Sequence, residues 1–246
     1  MLPLPFNTLF QLVAARDEAQ FEFARTPLLT PDLLGYWPSG SVGSEETMAS
    51  TTQLLRIDGS GWDIELMGTL GISPRLFPPI HRPGEQLGPL RGEVLAETGF
   101  EGEVPFTAVG SHDTASAVAA VPAADPSVAY ISSGTWCLVG VELDRPVLRR
   151  RVAPHSSPMN EASTEMILYH RTVMGLWLLQ ESMKTWERSG ASITIEELVS
   201  AAAGEEPLRS VFEPSDAVFY PPGDIPSRIA QVVARAVSSF PRRRRR

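Results

Sequence analysis

Apolar residues in the first hundred positions recur mostly at the spacing of one helix face. Leu9, Leu12 and Val13 show this spacing near the start of the chain. Pro31 after Thr30 is typical of a helix that begins with proline and is capped by threonine. The pattern predicts helices over residues 6–25, 30–37, 62–71 and 92–99. Glycine, serine and proline between these helices predict a loop over residues 38–50 and an irregular connector over 74–89. Residues 48–55 are predicted to form a helix or a strand, and a short strand is predicted from Leu87.

The pattern changes after residue 103, where short apolar runs alternate with turns. These runs predict strands over residues 104–110, 128–132 and 136–141, with a helix of small residues after the first strand. Ser133-Gly134-Thr135 is typical of a hairpin between the second and third strands. Further predictions are a turn at Asn160-Glu161 and helices over residues 169–187, 195–203 (capped by Thr194) and 227–237. Strands, helices and a hairpin together predict an α/β class with a mixed sheet.

Composition and charge limit the classes of function. The 246 residues can form one large or two modest domains. The net charge of -8 argues against a general nucleic-acid binder, so we interpret the terminal Arg242–Arg246 as a solvated tail; a nucleic-acid-binding tail is the alternative. No apolar run is long enough to span a bilayer, and the single cysteine, Cys137, allows no internal disulfide. We therefore expect a cytoplasmic protein with neither a nucleic-acid nor a membrane partner.

Two polar features of the first half of the chain suggest no site by themselves. Glu45-Glu46 lacks the spaced acidic partners of a metal site, and we interpret the pair as a solvated loop face. His81 lies in the proline-rich connector without a visible partner, and we expect it to be exposed.

The central stretch Val104–Val141 carries the candidate chemistry. Asp113 follows a predicted strand at the start of a helix, where it can be a proton acceptor for a substrate hydroxyl. The alternative is that Asp113 or Thr114 only caps that helix. His112 and Ser133 complete the residue types of a hydrolase triad, but adjacent His and Asp side chains diverge, which gives poor geometry for that chemistry.

Three segments in and after this stretch resemble the rhamnulokinase branch of the FGGY carbohydrate kinases. The segments are Gly110–Ala117 (GSHDTASA), Tyr130–Trp136 (YISSGTW) and Met174–Gln180 (MGLWLLQ). Shorter similarities occur at Asn7–Leu12, Ala49–Leu54 and Leu76–Pro79. All of them follow the order of the family, and the resemblance covers about residues 5 to 230.

The resemblance implies an actin-like, ribonuclease H-like ATPase fold with two domains and with sugar and ATP in the cleft between them. It implies phosphorylation of L-rhamnulose on its terminal hydroxyl by ATP and Mg²⁺, a step of rhamnose catabolism. Residues 1–109 would be the latter part of the N-terminal sugar-binding domain. Residues 110–230 would be the hinge and the first part of the C-terminal domain, and 231–246 an arginine-rich tail expected to be disordered.

The resemblance also assigns roles to the residues that match the family motifs. Asp113 would be the general base, and it would hold the sugar together with His112 and Thr114. Thr172 stands where the family usually carries an asparagine sugar ligand, and its shorter side chain has less reach.

The nucleotide site is matched by fewer residues. Thr135 would bind an ATP phosphate and Gln180 would contribute to the nucleotide site, whereas no residue is assigned as a metal ligand. On their own, Thr135 is compatible with an ordinary hairpin and Gln180 with a helix edge. The phosphate-binding strand that opens the family and its later Gly-Gly-Gly loop have no counterpart, so we expect an incomplete two-domain sugar kinase. The alternative function is that of an inactive fragment or pseudokinase that retains at most sugar or partner binding.

Overall fold

The computed structural model describes residues 7–123, 125, 128–147, 159–162 and 166–239. The helices of these residues are α1 (Thr8–Ala15), α2 (Thr30–Ser39), α3 (Glu46–Ser50), α4 (Ile64–Thr69), α5 (Gly92–Thr98), α6 (Asp113–Ala119), α7 (Trp177–Arg188), α8 (Ile195–Ala203) and α9 (Ile225–Ser239). The strands are β1 (Ser44–Glu45), β2 (Ile80–His81), β3 (Gln86–Pro89), β4 (Pro105–Thr107), β5 (Ala129–Ser133), β6 (Trp136–Leu143), β7 (Met159–Ala162) and β8 (Ile167–Met174). Short 3-10 helices are Ala19–Phe23, Pro74–Leu76 and Ala217–Phe219. None of the helices in this described part of the chain is both long and apolar enough to cross a bilayer.

The chain divides into two compact units, each with its own core. The first consists of Met1–Ser132 and Gly140–Arg171, and the second of Ser133–Val139 and Thr172–Arg246. The polypeptide therefore passes between the units several times, within β5 and β6 and again within β8.

Two hydrophobic clusters stabilise the first unit. Leu9 of α1 and Met67 of α4 pack with Leu54 and Ile72. Ala115 and Val118, on the buried face of α6, pack against Tyr130 of β5 and Leu168 of β8. This second cluster sets the position of α6, and hence of the residues at its N-terminal end, on the sheet.

The described strands form three sheets. Strands β1 and β2 are parallel, with Ser44 opposite Ile80 and Glu45 opposite His81. Strands β3 and β4 are antiparallel. Most of the third sheet belongs to the first unit, and its strand order is β5-β6-β8-β7 with β7 antiparallel to β8. The helices and sheets confirm the predicted α/β class.

The second unit is held together by α7, α9 and the segment between them. Leu178 and Ile225 pack with Met174 and Phe219 in a buried cluster. The carboxylate of Glu181, at the centre of α7, accepts hydrogen bonds from Lys184 Nζ at 2.7 Å and from the Gly223 amide at 3.2 Å. These bonds connect α7 to the start of α9.

Several predicted elements are confirmed where nearby residues determine the ends of a helix or a turn. Thr194 caps α8 in a capping box with Glu197, and α5 and the Ser133-Gly134-Thr135 hairpin lie where predicted. Gly190, with φ of +89°, follows α7 in the left-handed conformation that glycine tolerates best.

Other predictions are wrong, and pairing or capping explains most of them. Residues 167–174 form β8 rather than the start of a helix, because they pair with β7; the predicted turn at Asn160-Glu161 lies within β7. The predicted loop over 38–50 contains β1 and α3, and the irregular connector over 74–89 contains β2; the short strand expected from Leu87 is confirmed as β3. Thr30 is the first residue of α2 and not its cap. The N-cap residue is Leu29, and no side chain makes a capping hydrogen bond there.

Both predicted terminal helices have different bounds. The first ends at Ala15, because Glu18 is extended with φ of -82° and ψ of 140° and a 3-10 helix follows. The last continues to Ser239, so residues 231–239 are helical and not part of a disordered tail. Arg242–Arg246 lie outside the described residues.

Candidate active site

Asp113 is the first residue of α6, directly after the turn that follows β4. His112 occupies the N-cap position and makes no side-chain hydrogen bond to the helix, so neither Asp113 nor Thr114 is the N-cap residue. The negative charge of Asp113 in the first helical turn is favoured by the positive end of the helix dipole. Asp113 nevertheless satisfies an amide of the first turn, because its Oδ1 accepts from the Thr114 amide, so the helix-capping interpretation stands beside the catalytic one.

The Asp113 carboxylate faces solvent while its orientation is restrained. Its side chain is 96% exposed. Oδ1 accepts hydrogen bonds from the Thr114 amide at 2.6 Å and from Thr114 Oγ1 at 3.4 Å. Thr114 itself is buried, so it lies behind the carboxylate rather than beside it in solvent. Asp113 Oδ2 is thus available to a ligand hydroxyl.

His112 is mostly buried next to this carboxylate. Its Nε2 lies 3.9 Å from Asp113 Oδ1, which is too long for the His–Asp hydrogen bond of a hydrolase triad. Burial lowers the pKa of His112, and the negative charge of Asp113 opposes that effect only in part. The imidazole is therefore neutral at pH 7 and can donate to, or accept from, a ligand hydroxyl.

Glu45 is a residue of this site that the sequence did not reveal. It was expected in a solvated loop face, but it is only 5% exposed. Its Oε2 accepts from the Ser111 amide at 3.0 Å and from Ser111 Oγ at 2.8 Å, and its side chain also caps α3. The sequence feature that could have indicated this role is the position of Glu45 directly before α3, where an acidic side chain can cap the helix. Glu46 differs: it is half-buried, pairs with Arg82 at 3.8 Å, and burial raises its pKa.

His81 also differs from the prediction of an exposed residue without a partner. Its side chain is largely buried, and Nδ1 lies 3.2 Å from Glu85 Oε1. A cavity of about 90 Å³ lies next to it, with Asp32, Glu45 and Ser111 among its lining residues. Burial raises the pKa of Asp32, whose Oδ1 accepts from the Glu45 amide at 3.0 Å. Asp32, Glu45 and Ser111 therefore bring polar groups to a cavity that is otherwise lined mainly by apolar residues.

Thr135 and Gln180, the predicted nucleotide ligands, both belong to the second unit. The Thr135 carbonyl accepts from the Gly175 amide at 3.1 Å and from the Trp177 amide at 3.3 Å, and the Gly134 carbonyl accepts from the Leu176 amide at 2.9 Å. These bonds tie the hairpin to the start of α7. Thr135 and Gln180 are exposed, with Gln180 within the first turns of α7.

The remaining predicted sugar ligand, Thr172, is half-buried on β8 in the second unit. His112, Asp113 and Thr114 belong to the first unit, where they are adjacent. The described residues contain no group of three or more His, Cys, Asp or Glu side chains that could hold a metal ion.

Comparisons with known proteins match nearly the whole chain. The model described as the FGGY family of carbohydrate kinases, N-terminal domain, matches residues 2–120, and that of the C-terminal domain matches residues 129–238. A rhamnulokinase of Bacteroides thetaiotaomicron is 38% identical over 229 residues, which are 92% of this chain and 46% of that protein. A rhamnulokinase of Enterococcus faecalis is 34% identical over 221 residues, which are 90% of this chain and 44% of that protein. The chain thus spans less than half the length of these relatives.

Solved structures of sugar kinases have the same fold. A ligand-bound xylulose kinase of Lactobacillus acidophilus has a TM-score of 0.66 at 18% identity and covers 82% of this chain and 40% of its own. A gluconate kinase of the same organism has a TM-score of 0.66 at 18% identity and covers 84% of this chain and 41% of its own. The α/β kinase fold expected from the sequence is confirmed. Because both domain models of one family match in the family's own order, the chain belongs to the FGGY carbohydrate kinases.

Proposed function

We propose that this sugar kinase phosphorylates L-rhamnulose on its terminal hydroxyl, with ATP as the phosphate donor. The rhamnulokinase relatives, 34–38% identical over about 90% of the chain, support this choice of sugar. FGGY kinases use ATP together with a divalent metal ion, and the bound ion offsets the negative charge of the phosphates. The observation that carries the proposal is the exposed Asp113 carboxylate, held by Thr114 at the start of α6.

Asp113 acts as the general base in the proposed reaction. The sugar hydroxyl oxygen attacks the γ-phosphorus, the new oxygen–phosphorus bond forms, and the bond from that phosphorus to the bridging oxygen of ADP breaks. Asp113 accepts the proton that the hydroxyl loses. Because Asp113 Oδ1 is occupied by Thr114, we assign the proton to Oδ2.

The other predicted ligands position the two substrates. The neutral imidazole of His112 can hydrogen-bond a sugar hydroxyl without repelling or attracting the phosphates. Thr172 would contact the sugar from β8 with a hydroxyl of short reach. Thr135 and Gln180 would contact the nucleotide, and the hydrogen bonds from Gly175 and Trp177 keep the Thr135 turn in place.

The proposed partners are small molecules, L-rhamnulose and Mg²⁺-ATP, and the proposed compartment is the cytoplasm. The net charge of -8 gives no support to the alternative that the terminal arginines bind nucleic acid. Removing those arginines should leave sugar phosphorylation unchanged.

A second function is sugar binding without turnover. The predicted sugar ligands Asp113, His112 and Thr114 are adjacent in the first unit, whereas the predicted nucleotide ligands Thr135 and Gln180 belong to the second unit.

One experiment separates these functions. ADP formation is measured with L-rhamnulose, D-xylulose and D-gluconate, and sugar binding is measured by calorimetry. Asp113→Asn should lower kcat at least about 100-fold without abolishing sugar binding, because the amide cannot accept the proton. Asp17→Asn, which changes another highly exposed carboxylate of the first unit, is the matched control. Binding without ADP formation would establish the second function, and neither binding nor turnover with any sugar would refute both.

A further inference from the structure

We propose that Glu45 is a positioning residue for the Asp113 base, which it holds in place through the turn Ser111–His112. The inference rests on the proposed function, in which Asp113 accepts the proton of the sugar. Glu45 lies 66 positions before Ser111 in the sequence and is brought to the turn by β1 and α3.

The Glu45 carboxylate binds two elements at once. On the side of α3, Oε1 accepts from the Thr47 amide at 2.9 Å, and Oε2 accepts from Thr47 Oγ1 at 2.5 Å and from the Met48 amide at 3.2 Å. On the side of the turn, Oε2 accepts from both the amide and the hydroxyl of Ser111. The same buried charge therefore joins the start of α3 to the turn that precedes Asp113.

Thr47 extends this connection by one residue. Its hydroxyl donates to Glu45 and accepts a hydrogen bond from the His112 amide at 3.1 Å. The amides of Ser111 and His112, the two residues before Asp113, are thus both held directly or indirectly by Glu45. A hydroxyl that donates to a carboxylate is oriented by it, so loss of the carboxylate would also release the Thr47 hydroxyl.

The turn is fixed on its other side by a second contact. Ser116 Oγ donates a hydrogen bond to the Gly110 carbonyl. A Cβ added to Gly110 would lie 2.9 Å from Ser116 Oγ, so the two residues are in close contact. Gly110 through Asp113 is therefore held between α6 and Glu45. If Glu45 is removed, the Ser111 amide and hydroxyl lose their acceptor, and the Thr47 hydroxyl, which accepts from the His112 amide, loses the carboxylate that orients it. A displacement of about 1 Å of a catalytic group can lower the rate about 100-fold.

Glu45→Asp separates this role from the capping of α3. Aspartate is a favoured N-cap residue, so the bonds to the Thr47 and Met48 amides can be kept. Its side chain is one methylene shorter, so the same carboxylate cannot also reach Ser111. Glu46→Asp is the matched control, because it makes the same chemical change in a neighbouring carboxylate that pairs with Arg82 instead.

The expected result is a change in kcat without a matching change in stability or nucleotide affinity. For Glu45→Asp, kcat with L-rhamnulose should fall about 10- to 100-fold, while KM for ATP and the melting temperature stay close to those of Glu46→Asp. Ser111→Ala should lower kcat less, because its amide still binds Glu45. The double variant should be no slower than Glu45→Asp alone, since both changes act on one contact. A kcat within twofold of the Glu46→Asp control would overturn the proposal.

Amide hydrogen exchange tests the hold on the turn without relying on catalysis. Exchange at Ser111 and His112 should be about 10-fold faster in Glu45→Asp than in Glu46→Asp, because their acceptors are lost or displaced. Equal exchange rates in the two variants would overturn the inference even if the chain is an active kinase. Faster exchange and weaker sugar binding in a chain without turnover would support the role of Glu45 while refuting the proposed kinase function.

Discussion

Acidification should destabilise this protein through a buried histidine that the proposed reaction does not use. His170 lies on β8 and is only 1% exposed. Burial lowers its pKa to about 4, and the nearby His112 contributes to the same shift. Gly140 packs closely against this residue, since a Cβ added to it would lie 2.5 Å from the His170 Cβ.

The sign of the effect follows from the difference between the folded and unfolded states. An unfolded histidine has a pKa of about 6.5, so the unfolded chain binds the proton first as the pH falls. The stabilising effect of a neutral His170 is complete above pH 6.5 and is lost as the pH falls from about 6.5 to about 4. The full difference corresponds to about 3 kcal/mol, of which about 2 kcal/mol is lost between pH 7 and pH 5. This is a substantial part of the stability of a typical domain.

Urea unfolding at pH 7, 6 and 5 measures this loss in the wild-type chain, in His170→Gln and in Tyr169→Phe. His170→Gln removes the titrating group and should reduce the loss between pH 7 and pH 5 by about 2 kcal/mol. Tyr169→Phe changes the neighbouring residue of β8 and leaves His170 in place, so it should keep the wild-type slope. Burial also lowers the pKa of His112, so His112 too contributes to the loss of stability on acidification. That contribution remains in both variants. Parallel pH profiles for the wild type and His170→Gln would refute the reasoning.

Two further predictions concern packing. Gly175→Ala places a Cβ 2.6 Å from Cys137 Sγ and from the Gly134 carbonyl oxygen. The variant should lower the free energy of unfolding in urea by about 1–3 kcal/mol and should raise KM for ATP by displacing the Thr135 turn. Wild-type stability and ATP kinetics would contradict this prediction. Leu54→Ala empties a completely buried position of the first core and should lower the free energy of unfolding by about 2–5 kcal/mol. Leu34→Ala, at an exposed position, should change the same free energy by less than about 0.5 kcal/mol. Similar losses in both variants would show that burial is not the cause.

Sequence patterns predicted the elements whose boundaries are set by nearby residues. Thr194 and Glu197 specify the start of α8 by hydrogen bonds across three positions, and Gly190 can take the left-handed conformation without strain. Residues 169–174 show the limit of the same method. Their apolar spacing favoured a helix, but Tyr169 and His170 lie opposite Asn160 and Met159 in a β ladder. Hydrogen-bonded pairing with β7 makes these residues a strand, and the spacing of apolar residues within the segment does not reveal that partner.

The three motif segments were sufficient to identify the family, because they keep the order and residue types of FGGY kinases. The residue pattern also predicted that Asp113 begins a helix after a strand. How that carboxylate is held could be seen only in the folded chain. Glu45 looked like part of a solvated acidic pair, but it is buried and binds Ser111 across 66 positions of sequence. Which hydrogen-bond donors a buried carboxylate meets depends on how β1, α3 and the turn before α6 pack together, and the spacing of residues along the chain does not specify that packing.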